Sequence, residues 1–106
     1  MKLLTKEILS KLPALYATEH IPTEDQIVVA KFFNPYGSGT WLVTEYSKEK
    51  RIFFCYAHIQ ESEWGYTSLD ELESLTFMGR PKIERDRWFT PRKFSECVDS
   101  EGRITV

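Results

Sequence analysis

From Ile27 to Tyr66 the chain gathers most of its aromatic residues on runs that alternate with period two and are separated by turn formers. Such alternation sends successive side chains to opposite faces, so the stretch specifies an antiparallel meander with an aromatic-rich face. Ile27 to Phe33 forms the first strand, and Asn34-Pro35-Tyr36-Gly37-Ser38-Gly39 supplies the residues of a hairpin loop. Thr40 to Tyr46 follows, with Trp41, Val43 and Glu45 on one face and Leu42, Thr44 and Tyr46 on the other. After a charged turn at Ser47 to Lys50, Arg51 to Gln60 sets Ile52, Phe54, Tyr56 and His58 opposite Phe53, Cys55, Ala57 and Ile59. Trp64 to Thr67 reads as a short fourth strand. Both faces are substantially apolar, which requires helices or a partner to cover part of each.

The flanks supply two short helices. Thr5 is placed to cap a helix over Lys6 to Leu12, with Leu4 and Leu9 at the spacing of a hydrophobic staple, and Pro13 stops it. Thr18 to Gln26 reads as a connecting loop. Ser68-Leu69-Asp70-Glu71 has the form of a capping box, opening a helix that buries Leu69, Leu72 and Leu75 and ends near Gly79. Ile83 to Phe89 alternates as a final strand, and Thr90 to Val106 is weakly patterned, predicting a turn or short helix at Phe94 and a frayed tail over 95–106. The expected class is α+β: one domain over 1–106, an antiparallel sheet of about four strands packed with two short helices.

A chain of 106 residues hides roughly two-thirds of its unfolded surface without help from disulfides or metals. Its net charge of -2 rules out a strongly basic, histone-like binder of nucleic acid. The charge is uneven, however. Glu61 to Glu73 is acidic and Arg80 to Lys93 is basic, which predicts pairing between the segments or two solvated faces. Met1-Lys2-Leu3-Leu4 does not open a signal peptide, because Lys6, Glu7 and Lys11 interrupt the apolar run, and no run is long enough to span a bilayer. The expected location is cytoplasmic, with Cys55 and Cys97 reduced and Cys55 a small core residue.

Catalytic signatures are sparse. Gly37-Ser38-Gly39 lacks the following helix that a phosphate loop needs. His20 and His58 do not have the spacing of a metal pair, so no metal or cofactor is expected. Glu45 with Glu84 or Asp86 would offer a carboxylate pair for hydrolysis, with or without a metal ion, but Glu84 and Asp86 share one strand face and Arg85 and Arg87 the other, so surface ion pairing across strands explains them at least as well. Tyr36, Trp41, Tyr46, Trp64 and Tyr66 are amphipathic rings of the kind enriched at interfaces, and they also stack on unpaired bases. Core packing claims part of this set.

Lys31 to Tyr46 (KFFNPYGSGTWLVTEY), Glu63 to Leu75 (EWGYTSLDELESL) and Ile83 to Phe89 (IERDRWF), in that order, resemble the small bacterial family catalogued as domain of unknown function 2958. The likeness implies an accessory role in plasmids, conjugative or integrative elements and prophages, and implies no reaction. The best-matching positions are Thr40, Trp41, Glu45, Gly65, Ser68, Leu69, Glu84, Arg85 and Asp86. Cys55-Tyr56 stands where a smaller residue is common in relatives, and Leu42 where an aromatic is common. The expected function is a non-enzymatic binding module for a protein partner through Tyr36, Trp41, Glu45, Tyr46, Trp64, Arg85 and Asp86. Nucleic-acid binding and small carboxylate-based hydrolysis are the alternatives. An acidic mimic of DNA, suggested by Glu61 to Glu73, is weakened by the small net charge.

Overall fold

A computed structural model describes residues 3–106; the expectation for Met1 and Lys2 lies outside the described residues. The fold is α+β. Helix α1 covers Lys6–Lys11, and the strands before the second helix are β1 (Ile27–Val28), β2 (Ala30–Phe33), β3 (Thr40–Ser47), β4 (Ile52–His58) and β5 (Ser62–Ser68). Helix α2 (Leu69–Ser74) precedes β6 (Thr76–Phe77), β7 (Arg80–Pro81), β8 (Glu84–Arg85) and β9 (Arg92–Lys93). The main antiparallel sheet has the order β5-β4-β3-β2-β8, the expected meander with one further strand added beside β2.

Both expected N-caps form, although among the described residues no bond from the Ser68 N–H to the Glu71 carboxylate completes the capping box. The Thr5 hydroxyl accepts the Ile8 N–H at 3.1 Å, and the Ser68 hydroxyl accepts the Glu71 N–H at 3.1 Å. Helix α2 is shorter than the sequence predicts. It stops at Ser74, burying Leu69 and Leu72 while Leu75 stays exposed, and the chain turns into a small β6–β7 hairpin. Met78 and Gly79, both at positive φ (54° and 77°), make the tip, so Gly79 serves a turn rather than a helix end.

One strand face carries Phe32, Trp41, Val43, Tyr46, Phe53 and Cys55 in a core sealed by Leu3, Leu69, Leu72 and Ile83, with α1 residues against it. The opposite face carries Leu42 and Tyr56 under Val28, Phe94 and Cys97, with Trp64, Phe89, Val98, Ile104 and Val106 around them. Tyr46 and Glu45 are therefore exchanged relative to simple alternation. A β-bulge between Val43 and Glu45 inserts Thr44, so Glu45 pairs with Phe54 and Tyr46 with Phe53. An extra residue reverses parity for everything beyond it.

Three other expectations change. The strand expected over Ile27 to Phe33 breaks at Val29, whose N–H bonds to the Val43 carbonyl at 2.8 Å, and its first part pairs with Arg92 and Lys93 in a separate ribbon. The final strand is reduced to Glu84–Arg85, because the chain turns at Asp86. Residues 95–106 are folded back rather than frayed. Tyr56 donates to the Gly102 carbonyl at 2.6 Å, Lys31 donates to the Val106 carbonyl at 2.7 Å, and Cys97 is completely buried. The apolar second face supplies the reason, since this segment is what shields it from water.

Candidate functional site

The seven residues singled out in the sequence do not converge. Trp41 and Tyr46 lie in the helix-covered core, and burial pushes the Tyr46 phenol above its ordinary value. Trp64 stands on the other face among Phe54, Tyr56 and Phe94, with ring centroids 4.8–5.4 Å away. Tyr36 is exposed on the 34–39 loop and stacks on Phe77 of the small hairpin at 4.5 Å. These rings are explained largely by packing.

Glu45 has become a clamp. At 4% exposure its carboxylate accepts the backbone N–H groups of Tyr16 (2.9 Å) and Thr18 (3.0 Å) and the Thr18 hydroxyl. Gln26 braces the same loop, its NH2 donating to the Thr18 and Ile21 carbonyls, while its amide oxygen sits 2.8 Å from the Thr18 hydroxyl, whose single proton goes to Glu45. The Thr44 bulge is what aims Glu45 at this loop. Tyr16 is held at φ 70°, in the left-handed region, and its ring meets Tyr66 edge-on at 6.5 Å. The Tyr66 hydroxyl donates to that of Tyr16 at 3.3 Å. This bond chiefly, with desolvation and the nearby Glu45 and Glu19, raises the Tyr66 pKa. The cleft they line measures about 100 Å³, small for a ligand site.

Arg85 and Asp86 stand together at a larger feature. A groove of about 410 Å³ runs between α1, represented by Ile8 and Lys11, and the segment from Arg85 to Pro91. The Lys31 ammonium lies 3.4 Å from Asp86, and the other carboxylate oxygen accepts the Trp88 N–H at 2.9 Å. Asp86 thereby fixes a tight turn, closed by the Phe89 N–H on the Asp86 carbonyl at 3.3 Å. Arg85 donates to the Leu3 carbonyl at 3.4 Å. At the outside of the turn Trp88 is 88% exposed, and Arg87 is exposed without a hydrogen-bond or ion-pair partner among the described residues. Arg92 stacks over Phe89 at 4.9 Å.

Asp86 and Glu45 line separate cavities, so the suggested carboxylate pair is not assembled. Among the described residues there is no group of three His, Cys, Asp or Glu side chains able to hold a metal ion. His58 is engaged with the Ser62 hydroxyl at 2.9 Å, and burial raises both thiols to about 11. Acids from the Glu61 to Glu73 stretch are partly neutralised, Asp70 and Glu73 both by Arg51. Sequence reasoning missed Tyr16, Thr18 and Gln26, whose role depends on a bulge and a left-handed residue that no local pattern announces. Arg87 and Trp88 stand outside the seven residues singled out, and the signal that could have found them is a tryptophan beside arginines in the basic Arg80 to Lys93 stretch.

No helix among the described residues is long and apolar enough to cross a membrane. Neither the curated proteins nor the solved structures contain a match to the chain. The family model described as "Protein of unknown function (DUF2958)" matches residues 3–104. Since that match spans nearly the whole length, in agreement with the resemblance read from the three sequence blocks, the chain belongs to the DUF2958 family.

Proposed function

We propose that this protein is a small non-enzymatic binding module that captures a protein partner at the groove beside α1. Its setting is the cytoplasm and its role that of a mobile-element accessory. The observation carrying this reading is Trp88: a tryptophan 88% exposed, on a turn pinned by Asp86, between Arg87 and Phe89, two residues that line the groove. Tryptophan and arginine dominate binding hot spots, and a rigid support lowers the ordering cost of using them. The saturated hydrogen bonding of Glu45 leaves the hydrolase alternative without its proposed base.

The test is a tagged pull-down from native host lysate, with and without nuclease, comparing wild type with Trp88→Ala and Arg87→Glu. Both side chains are exposed, so unfolding stability should change by less than about 0.5 kcal/mol. A partner that survives nuclease and weakens at least about tenfold in the variants is expected. Retention of every interaction by both folded variants would refute this site. Recovery of nuclease-sensitive material alone would transfer the reading to nucleic acid, with Trp88 as a stacking platform.

A further inference from the structure

Strand β5 is the outer strand of the main sheet, hydrogen-bonded to β4 over seven residues without a bulge. Natural edges are blunted by proline, lysine, bulges or a covering element. Ser62–Ser68 has no proline and no lysine, and its one charge, Glu63, alternates onto the same face as Gly65 and Thr67 instead of lying along the edge.

The Leu69 N–H bonds to the Arg51 carbonyl at 3.0 Å, which makes Ile52 and Ser68 a non-hydrogen-bonded pair and fixes the alternation along the ladder. Thr67, Gly65 and Glu63 therefore spend their backbone groups on β4. Ser62, Trp64 and Tyr66 point theirs outward, where no described residue bonds them, and Ser68, the N-cap of α2, points its N–H outward while its carbonyl opens the helix. An antiparallel two-fold placed at Gly65 sets Trp64 opposite Tyr66 of a second copy and Ser62 opposite Ser68. All four outward residues then meet outward residues, as a hydrogen-bonded antiparallel pair requires. Each Trp64 gains an aromatic cross-strand neighbour, Glu63 faces Thr67 rather than a like charge, and Gly65 lies on the axis in a close, non-hydrogen-bonded pair. A Cβ built on Gly65 meets nothing within 4 Å, so the axis is clear of the chain's own side chains.

We infer that β5 is a self-association edge: two copies of this chain join antiparallel through Ser62–Ser68, about a two-fold axis at Gly65, into one continuous sheet. A foreign strand would satisfy the same backbone groups, but the register that sets Trp64 against Tyr66 and Ser62 against Ser68 is self-complementary, as an isologous interface demands.

Sedimentation equilibrium up to about 1 mM, a range suited to a small strand-edge interface, tests this on wild type and Gly65→Lys. The lysine enters open space and leaves the monomer fold intact, yet opposes two like charges on the axis. Amide hydrogen exchange of Trp64 and Tyr66 is followed across the same concentrations. The expected result is a wild-type dimer, weakened roughly tenfold in Gly65→Lys, with protection of both amides growing as the dimer forms. A wild type that stays monomeric overturns the inference and leaves the edge to a foreign strand. A dimer indifferent to Gly65→Lys, or one leaving both amides unprotected, overturns it in favour of another face. Because Trp88 lies elsewhere, failure here leaves the groove reading untouched, and the reverse holds too.

Discussion

Replacing Glu45 separates a structural carboxylate from a chemical one. Three donors converge on it, the N–H groups of Tyr16 and Thr18 and the Thr18 hydroxyl, in a site where the glutamate is 4% exposed. A hydrogen bond to a charged group contributes about 1.5–3 kcal/mol, and a stranded buried donor costs a comparable amount. Full additivity does not apply, because the 16–18 segment borders solvent and water recovers part of the loss. Glu45→Ala should therefore cost about 3 kcal/mol, a large share of a typical 5–15 kcal/mol stability. Glu45→Gln, keeping one acceptor but turning an NH2 towards a donor, should cost about 1–2 kcal/mol. Urea unfolding followed by circular dichroism reads this as a midpoint lowered by roughly 1–3 M for the alanine variant, at an unchanged slope. A loss below about 0.5 kcal/mol would refute the clamp. A gain in stability would go further, marking a carboxylate retained at a stability cost for chemistry, and would revive the hydrolase alternative.

Two further outcomes follow from local geometry. Met78→Asn should raise stability by about 0.5–1 kcal/mol in thermal unfolding, since Met78 sits at φ 54° with its side chain 87% exposed, and Asn-Gly suits a turn with two positive φ values; a lower melting temperature would contradict this. Burial raises the Cys55 and Cys97 thiols from 9.0 to about 11, so the fold favours the neutral form. That contribution is complete below pH 9 and is lost as pH climbs towards 11, so the urea midpoint should fall across that window, and a flat profile would refute it.

Local chemistry made much of the fold legible: Thr5 and Ser68 as caps, Asn34 to Gly39 as a hairpin loop, and the alternation of β4. Features set at long range were not. Nothing in Val43-Thr44-Glu45 distinguishes a bulged strand from a regular one, so the faces of Glu45 and Tyr46 were exchanged. Likewise the polar run from Thr90 onwards gives no periodic signal, because its apolar contacts come from isolated residues such as Phe94, Cys97 and Ile104 spaced to fit the sheet beneath them. The site divided in the same way. Arg85 and Asp86 were visible as charged residues without a local structural reason, whereas the clamp partners Tyr16 and Thr18 became meaningful through contacts 29 and 27 residues away.

The segment over Leu42 and Tyr56 also has a consequence for synthesis. Val28 pairs with Arg92, and Lys31 reaches Val106, so the meander leaves the ribosome long before the residues that seal its second face. During that interval Leu42, Tyr56 and Trp64 are an open apolar surface on a nascent chain, the circumstance in which chaperones are recruited and neighbouring chains on a polysome associate. Expression yield should therefore respond to the rate of translation through the codons of residues 92–106, although these residues contribute little to the meander itself.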